Sequence, residues 1–307
     1  MYNSLHDRKL LEDIDKDVKR THTYMHFFYK PSKMNIKVPN EELSQEVEKK
    51  KNQTCMDSVL YIYQKNNDKW ETNSDVILRI LYMYAKLNED VGYVQGMNEI
   101  LAPIYYAFFS EEDNSVIYNG MDDTDKQKEL DYKYNVDVEA DSFWTFSTLM
   151  EEIKILFIKD KDKINGGVFS KLIILSELLK LTDKLLYNHF KKISLEVQLF
   201  AFKWMVLFFT QDFMMPDILR LWDAILSDND KFYMVYLICL AILNIRRKEL
   251  LKCDFVGCLA NLQKINDLDV ENILNIVSIL KSKYSKKIKK IISNQSYTGY
   301  KNYFKEY

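Results

Sequence analysis

The chain has 307 residues, 47% apolar and 14% aromatic, enough for one large domain or two packed subdomains with a sizeable core. Lys and Arg number 43 against 45 Asp and Glu, and the net charge of −2 gives no global pull toward nucleic acid. Seven glycines and four prolines are too few for the turn-rich patterns of all-β or parallel α/β folds, so an all-α protein of long helices and polar loops is expected.

Leu10 to Thr21 places Leu11, Ile14 and Val18 on one helical face. Asp17 and Arg20, three apart, would be neighbours on that helix and could pair, which would hold the guanidinium in one orientation. As an ordinary surface ion pair the same arrangement is worth little. His22 to Asn73 is less regular and is interrupted by Pro31 and Pro39. Within it, Asn40 can cap a polar helix, Glu41 to Lys51, Ser58 to Tyr63 is apolar, and Asn66-Asn67-Asp68 signals a loop. His22 and His26 are four apart, but no Glu follows the first in the H-E-x-x-H manner, so they read as a pair near a helix end rather than as metal ligands.

Ser74 to Leu87 repeats apolar residues at Ile77, Ile80, Leu81, Tyr84 and Leu87, a helical pattern, and a second such pattern covers Met97 to Phe109. Between them lies V-G-Y-V-Q-G-M-N-E, Val91 to Glu99, where two of the seven glycines bracket Tyr93-Val94-Gln95. Gly92 can take a positive φ at a helix end without penalty, and Gly96 allows close approach of another backbone or a ligand. Together they would push the Gln95 amide outward, where its donor and acceptor can orient a water molecule. By spacing alone, the ordinary reading is a solvated glutamine in a helix-helix turn. Pro103 is expected to kink or locally unwind the second helix. Glu111 to Val138 is acidic and lacks periodicity, so a flexible surface insertion over 111–138 is expected; its acids do not fall at EF-hand spacing. It marks the expected boundary between an N-terminal helical subdomain, 1–140, and a C-terminal one, 141–307.

Asp141 can cap the next helix, with Phe143, Phe146, Met150, Ile153 and Phe157 on one face. Asn165-Gly166-Gly167 breaks the chain. Leu172 to Leu181 and Lys184 to Ile193 are amphipathic, whereas Glu196 to Thr210 and Phe232 to Arg247 are apolar almost all round and should be buried. Pro216 suits the first residue of a helix, Pro216 to Leu226, which carries L-R-L-W-D at Leu219 to Asp223. Asp254 to Leu262 and Leu268 to Leu280 close the pattern.

No signal peptide is expected, and neither long apolar run reaches the length of a spanning helix. Cys55, Cys239, Cys253 and Cys258 follow no disulfide framework; Cys253 and Cys258 form C-x4-C without a second pair or a nearby His, so no metal site is expected and a reducing, cytoplasmic setting is. The tail Lys281 to Lys290, K-S-K-Y-S-K-K-I-K-K, reads either as a basic helix end able to touch anionic lipid at 281–290 or as a solvated helix terminus.

These pieces resemble a known family. I-D-K-D-V-K-R-T at Ile14 to Thr21 is similar to the I-x-x-D-x-x-R-T motif of the TBC domain, the Rab GTPase-activating module, and Y-V-Q-G-M-N-E at Tyr93 to Glu99 is similar to its Y-x-Q-G-M-N motif. Phe200 to Leu226, with its late R-L-W-D, resembles that family's later helical pair. I-L-Y-M-Y-A-K-L-N before the glutamine motif and the acidic stretch before S-F-W-T-F look like the branch called TBC domain family member thirteen.

The resemblance implies an all-helical, V-shaped fold of two packed subdomains and acceleration of GTP hydrolysis on a Rab-type GTPase in vesicle trafficking. It puts Arg20 on the family's arginine finger and Gln95 on its glutamine finger. Asp17 and Thr21 fall beside the arginine and Tyr93, Gly96 and Asn98 beside the glutamine, all in supporting places, while Arg220, Trp222 and Asp223 fall on a mainly structural motif. It further implies no cofactor in this chain, since the partner GTPase carries GTP and Mg²⁺, and a monomer recruited from the cytoplasm to endomembranes through that GTPase. The alternative is a helical scaffold that binds a Rab without catalysing hydrolysis. The sequence departs from the family where Pro usually follows R-T, since His22-Thr23 stands there, and the family's opening Arg and Trp motif is not found before Ile14.

Overall fold

The computed structural model describes residues 2–32, 71–115, 124–158 and 167–298. The expected helix at 41–51, the apolar stretch 58–63, the loop at 66–68, Cys55 and Asn165-Gly166 lie outside the described residues. Among the described residues the fold is all-α, and the one β-type pairing is an isolated antiparallel bridge between Pro31 and Thr72. In chain order the helices are α1 (Tyr2–Val18), α2 (Asn73–Leu87), α3 (Met97–Ser115), α4 (Thr124–Ile153), α5 (Val168–Thr182), α6 (Lys184–Lys192), α7 (Gln198–Leu207), α8 (Met215–Leu226), α9 (Lys231–Leu250), α10 (Phe255–Gln263) and α11 (Val270–Thr298). Short 3-10 turns occupy His26–Tyr29 and Lys154–Leu156. No described helix is long and apolar enough to cross a membrane.

The chain forms two compact units, Met1–Glu152 and Ile153–Tyr307. The expected division at 140/141 instead falls inside α4, and Asp141 lies within that helix rather than at its cap. No Gly or Pro occurs between Gly120 and Gly166, so nothing in the local sequence stops the helix there. Of the stretch expected as a flexible insertion, 111–115 completes α3 and 124–138 opens α4, while 116–123 lies outside the described residues. Pro103 does not end α3, which continues to Ser115. It removes one intrahelical donor, to the carbonyl of Glu99, early in a helix otherwise rich in buried apolar side chains.

In the first unit α2 is the central element. The Thr72 side chain and Asp75 form a reciprocal capping box that satisfies two donors at its start. Val76, Ile77, Leu78, Ile80, Leu81, Tyr82 and Tyr84 are all buried, and α2 packs against α1 and α3. Arg79 is also buried in this apolar run. Glu139 of α4 grips it with two 2.7 Å bonds and Glu71 with a third, so the charge stays paired away from water. Asn73 and Ser74 at the start of α2 donate to the carbonyls of Phe27 and Phe28, and the Phe27 ring meets Tyr106 and Phe109 of α3 edge-on and Tyr105 at a tilt. The chain that follows α1 is thereby fastened to the start of α2 and the middle of α3.

In the second unit α9 is central and packs against α5, α8, α10 and α11. Tyr233 to Leu243 is buried without a break, as its apolar run requires. α7 is buried over most of its length, but Leu199 and Phe202 are exposed, so its apolar run is not enclosed all round as expected; it ends at Phe208 and Phe209, both left-handed at φ 48° and 65°. Trp222 Nε1 donates to the Phe208 carbonyl at 3.0 Å, so the tryptophan of R-L-W-D satisfies a backbone group in an unusual turn. In the same motif, Arg220 pairs with Glu271 of α11 at the surface, and the Asp223 side chain is exposed. α8 starts at Met215, so Pro216 sits within its first turn, one residue later than expected.

Candidate functional site

Two chain reversals in the first unit meet at one place. The first follows α1. After Val18 the backbone tightens: Arg20 N bonds the carbonyl of Asp17 at 3.0 Å, and Thr21 N that of Val18 at 3.1 Å. His22 then takes φ 44°, which turns the chain toward the 3-10 segment. Arg20 therefore stands past the helix end, and the Asp17–Arg20 pair anticipated on a continuous helix is not formed. Arg20 is exposed, and no carboxylate among the described residues pairs with it.

The second reversal joins α2 to α3. Gly92 adopts φ 65° and its N–H bonds the Asn88 carbonyl at 2.7 Å, closing α2. A Cβ on Gly92 would meet nothing within 4 Å, so the positive φ, not crowding, is what calls for glycine there. Gly96 adopts φ 107° immediately before α3. Gln95, between the two, is exposed, and no described group engages its side chain.

Asn98 ties the reversals together across 77 residues. Its Nδ2 donates to Thr21 Oγ1 at 2.8 Å, and its Oδ1 accepts from Gly96 N at 3.0 Å. Thr21 Oγ1 in turn donates to the Asp17 carbonyl at 3.0 Å. Tyr93 OH lies 2.9 Å from Asp17 Oδ2 and 3.2 Å from Asn98 Oδ1. A phenol has one proton, and the shorter bond to a carboxylate is the stronger. Burial first, then the Asp17 carboxylate, pushes the Tyr93 pKa well above its ordinary value, so the proton stays on. Thr21 and Asn98 are almost wholly buried. The residue before Thr21 is Arg20, and the residue before Gly96 is Gln95. The network thus consumes Asp17, Thr21, Tyr93, Gly96 and Asn98 in fixing two backbones, and leaves a cation and an amide as exposed groups available to another molecule.

His22 lies directly under this arrangement. It is buried, stacks on Phe28 at 5.8 Å between centroids, and meets Tyr24 OH through Nδ1 at 3.2 Å. Its Nε2 has no hydrogen-bond partner; Glu99 Oε2, at 3.7 Å, is too distant for one. Burial prevails, and the imidazole pKa falls to about 4. His22 and His26 do not converge as a pair: His26 opens the 3-10 turn and is exposed. Proline at position 22 would demand φ near −65°, so the departure from the family's R-T-P accompanies a different backbone in this chain.

Arg220, Trp222 and Asp223 belong to the second unit, where Trp222 serves that unit's own core. The triplet of Arg79, Glu71 and Glu139 ties α2 to α4 and is barely visible in the sequence. Its one local sign is an arginine inside the otherwise apolar I-L-R-I-L.

Comparison with known proteins places the chain in a family. A family model described as the Rab-GTPase-TBC domain matches residues 30–251. The match includes the glutamine loop and R-L-W-D but begins after Arg20. The chain is 31% identical over 294 residues to TBC1 domain family member 13 of Mus musculus and 32% over 293 residues to that of Homo sapiens; each alignment covers 87% of this chain and 69% of the relative. It is 33% identical over 156 residues to the GTPase-activating protein GYP1 of Saccharomyces cerevisiae, covering 50% of this chain and 23% of that one. The crystal structure of the Ypt/Rab-GAP domain of Gyp1p superposes with a TM-score of 0.58 at 24% identity over 91% of this chain and 81% of that one, a likeness of fold. On the extent of that family match and the identity to these relatives, the chain belongs to the Rab-GTPase-TBC domain family.

Proposed function

We propose that this protein is a GTPase-activating protein for a Rab-family small GTPase, acting by inserting Arg20 and Gln95 into its partner's nucleotide site, and that it thereby regulates vesicle trafficking from the cytoplasm. The observation that carries this reading is the Thr21–Asn98–Gly96 chain of hydrogen bonds, which joins the backbones bearing two exposed and unengaged side chains. The partner supplies GTP and Mg²⁺, and what it does slowly is orient the attacking water and neutralise charge growing on the transferred phosphoryl oxygens. A guanidinium delivered in trans answers the second need and is worth about 10³–10⁵ in rate. A carboxamide, at once donor and acceptor, answers the first. This division of labour requires no nucleophile, metal or nucleotide pocket in the chain itself.

Single-turnover hydrolysis across a panel of GTP-loaded Rabs is the test. Wild-type protein is expected to accelerate at least one Rab, and Arg20→Ala and Gln95→Ala each to lose most of that acceleration. Wild type without effect on any Rab would overturn the catalytic reading. The alternative reading is a scaffold that binds a Rab without catalysis. Retained binding of GTP-loaded Rab together with unchanged hydrolysis would establish it.

A further inference from the structure

α11 carries six lysines between 281 and 290, and the fold sorts them into two groups. Lys281 bonds Asp228 at 3.0 Å, and Lys281 and Lys289 lie 5.8 Å and 5.4 Å from the ring centre of Tyr233 on α9. These two are spent inside the second unit. Lys283, Lys286, Lys287 and Lys290 recur at i, i+3, i+4 and i+7, so they share one helical face, and all four are exposed. Among the described residues no carboxylate pairs with any of them, and Lys283 merely lies 5.1 Å from the neighbouring ring of Tyr284.

A neighbouring face is anchored. Ile273, Val277 and Leu280 are buried ahead of the row and Ile288 within it, so the helix is held against its unit. No Asp or Glu occurs between Glu271 and Glu306 to offset the charge within this segment. The helix dipole does not account for the placement. It acts within the last turn, whereas α11 runs on to Thr298, two turns beyond Lys290. Exposed Ile279 continues the row one turn toward the N-terminus and adds an apolar contact.

We infer that Lys283, Lys286, Lys287 and Lys290 form a docking face for an anionic phospholipid bilayer, separate from the GTPase-directed site. The row spans about 10 Å along one exposed face of a single helix, a shape suited to a broad anionic plane. Tyr284 is the one aromatic residue within 281–290, and it is half-buried beside Lys283, so the row lacks the succession of exposed aromatic platforms on which single-stranded nucleic acid stacks. Each lysine is expected to raise partition onto an anionic leaflet about fivefold, within a screening length of about 8 Å at physiological salt. Such binding is weak and reversible, and it would act with a membrane-anchored partner rather than alone.

The test is flotation of the full chain, without GTPase or nucleotide, with vesicles of phosphatidylcholine alone or with about a third phosphatidylserine, at low and high salt. The expected result is recovery with the anionic vesicles at least about tenfold above the neutral ones, collapsing in high salt. Changing the four stripe lysines to Gln should abolish the excess, while the same number of Gln substitutions at exposed Lys184, Lys192, Lys248 and Lys252 should leave most of it. Arg20→Ala should bind vesicles as wild type does, so failure of the docking face and failure of the catalytic reading are distinguishable. Equal losses from both lysine sets, recovery independent of anionic lipid, or retention only on an acidic peptide or nucleic acid column would each overturn the inference. Thermal unfolding of both variants at the wild-type midpoint excludes misfolding as the cause.

Discussion

The turn after α1 and the turn after α7 use the same backbone device for opposite ends. In each, a non-glycine residue is held at positive φ just past a helix: His22 at 44° in the first unit, Phe208 and Phe209 at 48° and 65° in the second. Around Phe208 the turn is held by burial, with both phenylalanines fully enclosed and Trp222 capping the carbonyl. Around Arg20 it is held by hydrogen bonds from Asn98 and Thr21 that use up every supporting residue and leave Arg20 outside. A turn buttressed by aromatic burial faces inward and serves the core. A turn buttressed by a satisfied polar network can be rigid and still present a charged side chain to solvent, because the network binds backbone and neighbours rather than the side chain itself.

That contrast can be broken most sharply at Arg20. Arg20→Ala should reduce acceleration of GTP hydrolysis by about 10³-fold or more, with no change in thermal midpoint, since nothing described in the protein leans on the guanidinium. Single-turnover kinetics and a melting curve on one preparation separate the two effects. Trp222→Ala should do the reverse. Losing a buried indole and orphaning the Phe208 carbonyl is expected to cost about 3–5 kcal/mol in urea unfolding. Hydrolysis per folded molecule should remain near the wild-type rate.

His22 sharpens the comparison through pH. Its folded pKa, about 4, lies below the ordinary 6.5, so above pH 6.5 both folded and unfolded chains carry it neutral and it adds no pH dependence. As pH falls from 6.5 toward 4 the unfolded chain takes up the proton and the folded one does not, and stability declines by about 3 kcal/mol across that window before levelling. Urea midpoints measured through the window should show the slope, and His22→Gln should flatten it. The smallest effect belongs to Tyr93→Phe. It removes a bond to a half-buried carboxylate that water can partly replace, so about 1 kcal/mol is expected, with a modest fall in acceleration as the glutamine loop loosens. A fall as deep as that of Arg20→Ala would mean that Tyr93 does more than hold the loop.

Much of the fold was legible because it is written locally. Tyr233 to Leu243 is buried without a break, Ile77, Ile80, Leu81 and Tyr84 face the core although Leu87 of the same expected stripe is exposed, and Gly92 takes the positive φ that its place at a helix end suggested. The continuity of α4 was not legible in the same way. Acidic residues without apolar periodicity look like a loop when read alone, and only the absence of helix breakers between Gly120 and Gly166 hinted otherwise. The supposed helix-surface pair of Asp17 and Arg20 failed for a related reason. Spacing of three implies contact only while the helix lasts, and α1 ends at Val18.

The amino-acid order by itself determined the helical class, the two motifs and the side chains at their tips, because helix periodicity, glycine freedom and residue chemistry act within a few positions. Tertiary structure alone decided that Thr21 meets Asn98, that Asp17 serves Tyr93 instead of Arg20, and that two of six clustered lysines are spent while four stay free. Each of these depends on groups brought together by packing across tens of residues, a distance over which local sequence carries no information about contact.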